Sequence, residues 1–369
     1  MFKKITFSAI AALACMTVSA QEMKWHNPLE AGFNVICNQA LPDEARSNEY
    51  HRFPSDKQAK IRKAVWDLSK QSAGECISFT TDAKKLQVRY GVKLRHAMPH
   101  MPSTGVSGLD LYTTDKNGEE VWLPGKYSFK DTVTYTYSSI DIKDAIEGPT
   151  KYTLYLPLYN EVTWMEVGAP EDASFQFEAA PEAKPIVAYG TSICQGACAS
   201  RPAMAWTNIL HRRLDHPVIN LGFSGNAKYE TAVIDIVSDV DACIYILDGM
   251  PNNQNMETKA LQDTLVKAVR QIRAKRPDTP IIMVDYPGAP DGKAYKARRD
   301  NEANAHSSQA AAYKQLKKEG VKNLYHLKNI GMIGDMTVEG THMSDYGMTQ
   351  YANKYEPILR KLLRKLKIK

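Results

Sequence analysis

Residues 185–200 read PIVAYGTSICQGACAS. A short apolar run is followed by Gly190-Thr191-Ser192 and then by small and polar residues. The run has the length of a buried strand and shows no alternation. The Gly190-Thr191-Ser192 segment reads as a turn into a helix, which would expose the Ser192 hydroxyl at the strand's end beside the unpaired N–H groups of a helix start. Gly-x-Ser turns are common without any chemistry. Ser192 therefore gains meaning only if the rest of the chain supplies its partners.

From residue 185 onward the same alternation repeats. Apolar runs at PIVAYG, PVINLGF, ACIYILDG, PIIMVDYP and NLYHL are separated by helix-length segments such as MAWTNILHRRL and KALQDTLVKAVRQIRAK, and a final helix is expected from about Asp345. A strand–helix repeat with fully apolar strands predicts a parallel sheet covered on both faces. In such sheets ligands meet the carboxyl ends of the strands. Residues 21–180 read differently. Tyr, Thr and Val are frequent in CISFTTDAKKLQVRYGV, TVTYTYSSI and TKYTLYLPLYN, and GLDLYTTDKNGEEVWLPG reads as a hairpin turning at Lys116-Asn117-Gly118. An all-β sandwich is expected there. The stretch EAAPEAKP, 178–185, marks the boundary.

Four strand ends carry candidate chemistry. Ser192 follows the first strand as a candidate nucleophile. Gly225, in NLGFSGNA after the second, lacks a Cβ and can bring its N–H close to a ligand. Asn252, in LDGMPNN after the third, can aim an amide donor at the same point. His342, in VEGTHMSDYG before the last helix, suits general-base work, and Glu339 three residues earlier can reach its ring N–H. Ser344 or Asp345 reads as the cap of that helix. Each residue alone also fits a plain turn or surface role; their order along the chain makes them a set.

That order resembles the SGNH hydrolases, also called GDSL esterases and lipases, over about 185–366. MPHMPSTGVSGLDLY, 98–112, resembles the GxDLY domain that precedes one branch of the family. The resemblance implies a flavodoxin-like five-stranded parallel sheet with helices on both faces in 185–369, after a GxDLY-like sandwich in 21–180. It implies a Ser192–His342–Glu339 triad with an oxyanion hole from the Ser192 and Gly225 N–H groups and the Asn252 amide. It also implies esterase activity, with O-acetyl groups on a carbohydrate as the first substrate choice. Three positions depart from the family pattern. Thr191 stands where Asp is usual, Glu339 replaces Asp, and Met250 occupies the usual Gly position two residues before Asn252. A non-catalytic carbohydrate-binding protein retaining the fold is the alternative.

The remaining features bound this reading. The chain has 369 residues, 43% hydrophobic and 24% charged, which is globular composition with room for two domains. MFKKITFSAIAALACMTVSA, residues 1–20, has Lys3 and Lys4, an apolar core and Val18-Ser19-Ala20 before Gln21. It reads as a secretory signal peptide, with lipoprotein processing before Cys15 as the weaker alternative. A periplasmic or extracellular location without membrane insertion is the corresponding expectation. Losing Lys3 and Lys4 lowers the formal charge from +6 to +4, and much of the excess sits in the terminal LRKLLRKLKIK. One basic helix end suits the helix dipole, and no nucleic-acid motif accompanies it. Five Cys come after the leader, Cys37, Cys76, Cys194, Cys198 and Cys243, an odd and widely spaced set that reads as buried free thiols. No His stands near Cys194 and Cys198 in the chain, so neither a metal site nor a cofactor is expected. Trp122, Tyr135, Tyr137 and Trp164 are candidates for stacking on sugars or for filling the sandwich core. His26, His51, His96, His100, His211, His216, His306 and His326 read as structural or surface residues, with facing the cleft as the weaker alternative for His96 and His100 beside the GLDLY stretch.

Overall fold

The strand Ile186–Gly190 is buried at every position. Its residues alternate between two cores: Ile186 and Ala188 enter one, Val187 and Tyr189 the other. This is the signature of a strand covered on both faces, and it explains why the sequence shows no alternation of polarity. In the computed structural model, which describes residues 22–41 and 50–368, this strand pairs in parallel with Val218–Gly222 on one side and Ile244–Asp248 on the other. Ile281–Val284 and Leu324–Leu327 extend the sheet beyond Ile244–Asp248. Taking the five strands in chain order, their order across the sheet is 2-1-3-4-5. That is the flavodoxin-like order, with its switch point at the end of the first strand, beside Ser192.

Helices Trp206–Leu214 and Asp345–Lys365 cover the Ile186/Ala188 face, where Trp206 stacks on Tyr355 with centroids 4.6 Å apart. Thr231–Asp239, Thr258–Lys275 and Lys296–Lys318 cover the other. The caps obey sequence logic. Glu257 accepts from the N–H groups of Lys259 and Ala260 at 2.9 Å, and Asp215, at φ 47, ends Trp206–Leu214. Ser344, not Asp345, caps the last helix by accepting from Gly347 N; the Asp345 carboxylate instead accepts from Ser200 N at 2.8 Å. No helix among the described residues is long and apolar enough to cross a membrane. The expected leader, 1–20, lies outside those residues.

The N-terminal half forms two antiparallel sheets around one core. Met23–His26, Val162–Pro170, Leu86–Val92, Val133–Tyr137 and Lys126–Ser128 make the first. Phe175–Phe177, Cys76–Thr81, Thr150–Tyr155, Asp110–Thr114 and Glu120–Leu123 make the second, with Ile36–Cys37 paired to Cys76–Thr81. The expected hairpin is present, pairing Leu111 with Leu123 and Thr114 with Glu120. The two strands read from CISFTTDAKKLQVRYGV enter opposite sheets, so the polar turn between them is a crossover. Short helices Lys63–Ser69 and Ser103–Val106 interrupt the β pattern.

Tyr135 and Tyr137 fill the sandwich core, whereas Trp122 and Trp164 stay about two-fifths exposed. Trp122 faces the second half of the chain. Its indole N–H donates to Asp110, and Arg201 lies over its ring at 4.1 Å. Asp110 and Tyr112 of the GLDLY stretch hold that neighbouring segment. The Asp110 carboxylate accepts from Arg201 and from Ala203 N, and the Tyr112 hydroxyl accepts from Arg201 at 2.8 Å. Arg52 adds a second clamp. Fully buried, its guanidinium donates to four carbonyls, Leu68 and Gln71 on its own side and Asn220 and Gly222 at the end of the second parallel strand. Burial lowers its pKa to about 10, which leaves it cationic at neutral pH.

Candidate active site

Ser192 opens the helical turn Ser192–Gln195 directly after the first parallel strand. As the first helical residue, its N–H has no acceptor within the turn. Thr191 caps the turn by accepting from Ile193 N, and Tyr159 from the N-terminal half donates to the Ser192 carbonyl at 3.2 Å. The turn presses against the neighbouring strand end so closely that a Cβ on Gly222 would stand 2.1 Å from Gln195 N. Only glycine permits that approach.

The loop before the last helix brings His342 across to this turn. Cys198 N donates to Met343 O at 2.9 Å, Met343 N to Ala197 O at 3.2 Å, and Arg298 to Gly340 O at 3.1 Å. His342 Nε2 lies 2.8 Å from Ser192 Oγ. Glu339 Oε1 lies 2.6 Å from His342 Nδ1 and also accepts from the His342 backbone N–H at 2.7 Å. One carboxylate oxygen thus faces both N–H groups and sets the Glu339 charge directly against the ring. The extra methylene of Glu339 is absorbed by this fold-back onto its own loop.

Burial pulls the His342 pKa below its ordinary 6.5; Glu339 opposes the shift and nearby His100 adds to it. A histidine acting as base must be neutral, so the acid limb of kcat/KM should have its midpoint below pH 6.5. Glu339→Gln removes the charge that favours imidazolium, so the midpoint should fall further. Titrating kcat/KM against pH for both proteins checks this; an upward shift in the variant would show that the Glu339 charge does not act on His342.

Across from Ser192, the ends of the second and third strands are bolted together. Asn252 Oδ1 accepts from Ala227 N at 3.0 Å, which turns the amide NH₂ away from that loop. Asn253, a residue that sequence reading passed over, donates to both Ala227 O and Gly249 O at 2.7 Å. Gln195 Oε1 accepts from Ser224 N at 3.0 Å and ties the helical turn to the same loop. Gly225 sits at φ +68, a left-handed conformation that favours glycine. Ser192, Gly225, Asn252, Tyr286, Met332 and His342 are among the residues enclosing a cavity of about 240 Å³. The structure thus brings together all five sequence candidates. Such an arrangement can deprotonate a serine, present it to a carbonyl carbon, and meet the resulting oxyanion with N–H donors.

The chain matches the model of the GDSL-like lipase/acylhydrolase family over residues 183–360 and that of the GxDLY N-terminus of SGNH-hydrolase-type esterases over 23–175. A crystal structure described as a GDSL-like lipase from Bacteroides ovatus is 31% identical, with a TM-score of 0.83, covering 93% of this chain and 98% of that one. This chain belongs to the SGNH hydrolases, in the branch that carries a GxDLY domain. Two distant structures share the fold. The salicylyl-acyltransferase SsfX3 from a tetracycline biosynthetic pathway is 18% identical, with a TM-score of 0.71 and coverage of 92% and 97%. An acetyl xylan esterase from the rumen bacterium Butyrivibrio proteoclasticus is 10% identical, with a TM-score of 0.52 and coverage of 92% and 98%. No curated protein matches the sequence.

The departures of this SGNH hydrolase from its family pattern have local reasons. Thr191 is buried and serves as the cap of the helical turn, a task Asp and Thr share. Met250 is fully buried in the core beneath the third strand end and anchors the Asn252 loop from below. One further feature was not legible in the sequence. The chain shows no His near Cys198, yet the fold places His100 and His342 beside it, their ligand atoms all within 4.8 Å of one another. His100 comes from the N-terminal half and its ring stacks on His342 with centroids 5.4 Å apart. The Cys198 thiol is pushed up to about 12 by burial and then by the Glu339 charge, so it stays neutral. Other histidines have structural partners: His211 contacts Tyr155 Oη, His216 the Lys184 carbonyl, and His326 pairs with Asp285.

Proposed function

We propose that this SGNH hydrolase is an exported serine esterase that removes short acyl groups, acetyl foremost, from a carbohydrate. The observation that carries the reading is the Ser192–His342–Glu339 relay opening onto a small cavity between Gly225 and Asn252. In the mechanism, Ser192 Oγ attacks the ester carbonyl carbon as His342 Nε2 takes its proton. Glu339 stabilises the imidazolium. The Ser192 and Gly225 N–H groups and the Asn252 amide hold the oxyanion. His342 then protonates the departing alkoxide, and water, deprotonated by the same ring, releases the acid and restores Ser192. No step calls for a metal or an organic cofactor.

Cavity size supports a small acyl group. About 240 Å³ lies below the usual range of drug-sized ligand pockets, and Tyr286, Pro287 and Met332 form its apolar side. The sugar would then lie outside, toward solvent. An acetyl ester substrate is also what the distant acetyl xylan esterase's name describes. The leader at 1–20 supports export, where polysaccharide esters are met. A non-catalytic binding protein would need neither the relay nor two interlocked donor loops, which weighs against the alternative.

The test compares activated esters of increasing acyl length and then acetate release from acetylated glycans. The acetyl ester should exceed the octanoyl ester in kcat/KM by about tenfold or more, the scale on which added methylenes change discrimination in an apolar pocket. A preference for octanoyl would replace the deacetylase reading with a lipase one.

A further inference from the structure

His100, Cys198 and His342 come from three separate parts of the chain. His100 lies in the turn between Met98 and Met101, Cys198 comes just after the helical turn, and His342 precedes the last helix. Their ligand atoms lie within 4.8 Å of one another. Two imidazoles and a thiol suit a borderline-soft ion such as zinc(II). Tetrahedral zinc holds such donors roughly 3.3–3.8 Å apart, so the set must close by about 1 Å. The scaffold allows it. Cys198 and His342 are held side by side by the two main-chain hydrogen bonds linking Ala197 and Cys198 to Met343, and the partly buried His100 ring rests on His342 from the turn between Met98 and Met101.

We propose that His100, Cys198 and His342 form an inhibitory zinc site that shuts this esterase off, an inference that rests on His342 being its base. Zinc takes the lone pair of one His342 ring nitrogen. The Cys198 thiol proton passes to water as a zinc–thiolate bond forms, and no electrons are exchanged. A zinc ion on Nε2 blocks acceptance of the Ser192 proton; one on Nδ1 displaces the contact with Glu339. In both cases Ser192 keeps its proton. Water fills the fourth position. The His100 ligand makes the N-terminal domain part of the switch, although among the described residues none from that domain lines the cavity itself.

The experiment uses the processed full-length protein, stripped with a chelator, with zinc titrated against hydrolysis of an activated acetyl ester and cobalt(II) binding read separately by absorbance. Micromolar zinc should lower the rate by about tenfold or more, and chelator should restore it. Cobalt(II) should give a thiolate-to-metal charge-transfer band in the near ultraviolet. Cys198→Ala should abolish that band. Cys198→Ala and His100→Ala should each raise the half-inhibiting zinc concentration about tenfold, relative to their own metal-free rates. The absence of a cobalt band in the unsubstituted protein, or the same zinc midpoint in all three proteins, overturns the site. His100→Ala, at a partly buried turn position, keeps the test decisive if the buried Cys198 change impairs folding. The cobalt band does not depend on turnover, so a protein that binds cobalt but hydrolyses no ester refutes the esterase reading alone.

Discussion

Ser192→Ala is expected to cut kcat on an activated acetyl ester by at least about 10⁴-fold while leaving the protein folded. In other serine hydrolases, loss of the nucleophile costs up to about 10⁶-fold, the remainder coming from the oxyanion hole and substrate binding. A loss of 10⁴-fold corresponds to about 5.4 kcal/mol of transition-state stabilisation. The fold should not register it. The Ser192 hydroxyl meets His342, whereas the turn is held by the Thr191 cap, by Gln195 N to Thr191 O at 2.9 Å and by Gly196 N to Ser192 O at 3.0 Å. All of these survive in alanine. Melting temperature should therefore stay within a few degrees of the parent. Retention of more than about 1% of kcat, with the melting temperature unchanged, would place the nucleophile elsewhere.

Asn252→Ala should lower kcat by about 10²–10³-fold with KM little changed, the effect of removing one oxyanion donor. The structure adds a way to separate donation from support. Asn252 Oδ1 accepts from Ala227 N, so alanine removes both the donor and part of the clamp between the two loops. Asn252→Asp keeps an oxygen for Ala227 N and replaces the donor with a negative charge facing the developing oxyanion. If donation matters, the aspartate variant should be as slow as the alanine variant or slower. If it recovers parental kcat, Asn252 is a structural brace and the oxyanion rests on the Ser192 and Gly225 N–H groups alone. Asn253, which donates to Ala227 O and Gly249 O, keeps the loops joined in both variants.

The candidate site was legible where it rests on local rules. Uniformly apolar strands separated by helix-length segments specify a parallel sheet, and a parallel sheet gathers the residues just after its strands at one edge. That is why Ser192, Gly225, Asn252 and His342, spread over some 150 residues, can be grouped from the letters alone. Glu339 was legible because it stands three positions before His342. The departures were legible as departures but not as solutions. That Thr191 caps and that Met250 anchors depends on burial, which the letters do not state.

The N-terminal half was read more coarsely. Tyr135 and Trp122 both read first as core residues and second as a sugar surface, and the structure sends the first inward and the second to Arg201. The strands Cys76–Thr81 and Leu86–Val92 follow one another in the chain and belong to two sheets. In each case the deciding quantity is which partner strand lies across, and pairing in an antiparallel sandwich is set by distant segments.

By itself, then, the sequence determined the class of each half and the turns that follow the five apolar strands, because these rest on local periodicity and on a few neighbouring residues; the candidate roles of Ser192, His342, Glu339, Gly225 and Asn252 were what its resemblance to the SGNH hydrolases implied. Only the tertiary structure decided that the buried Arg52 spans the two halves, that Asp110 of the GLDLY stretch serves as a docking carboxylate, and that His100 and Cys198 stand beside His342. Those pairings join residues about 90 to 240 positions apart, and they form because two hydrophobic cores exclude water and close on each other, which no local pattern encodes.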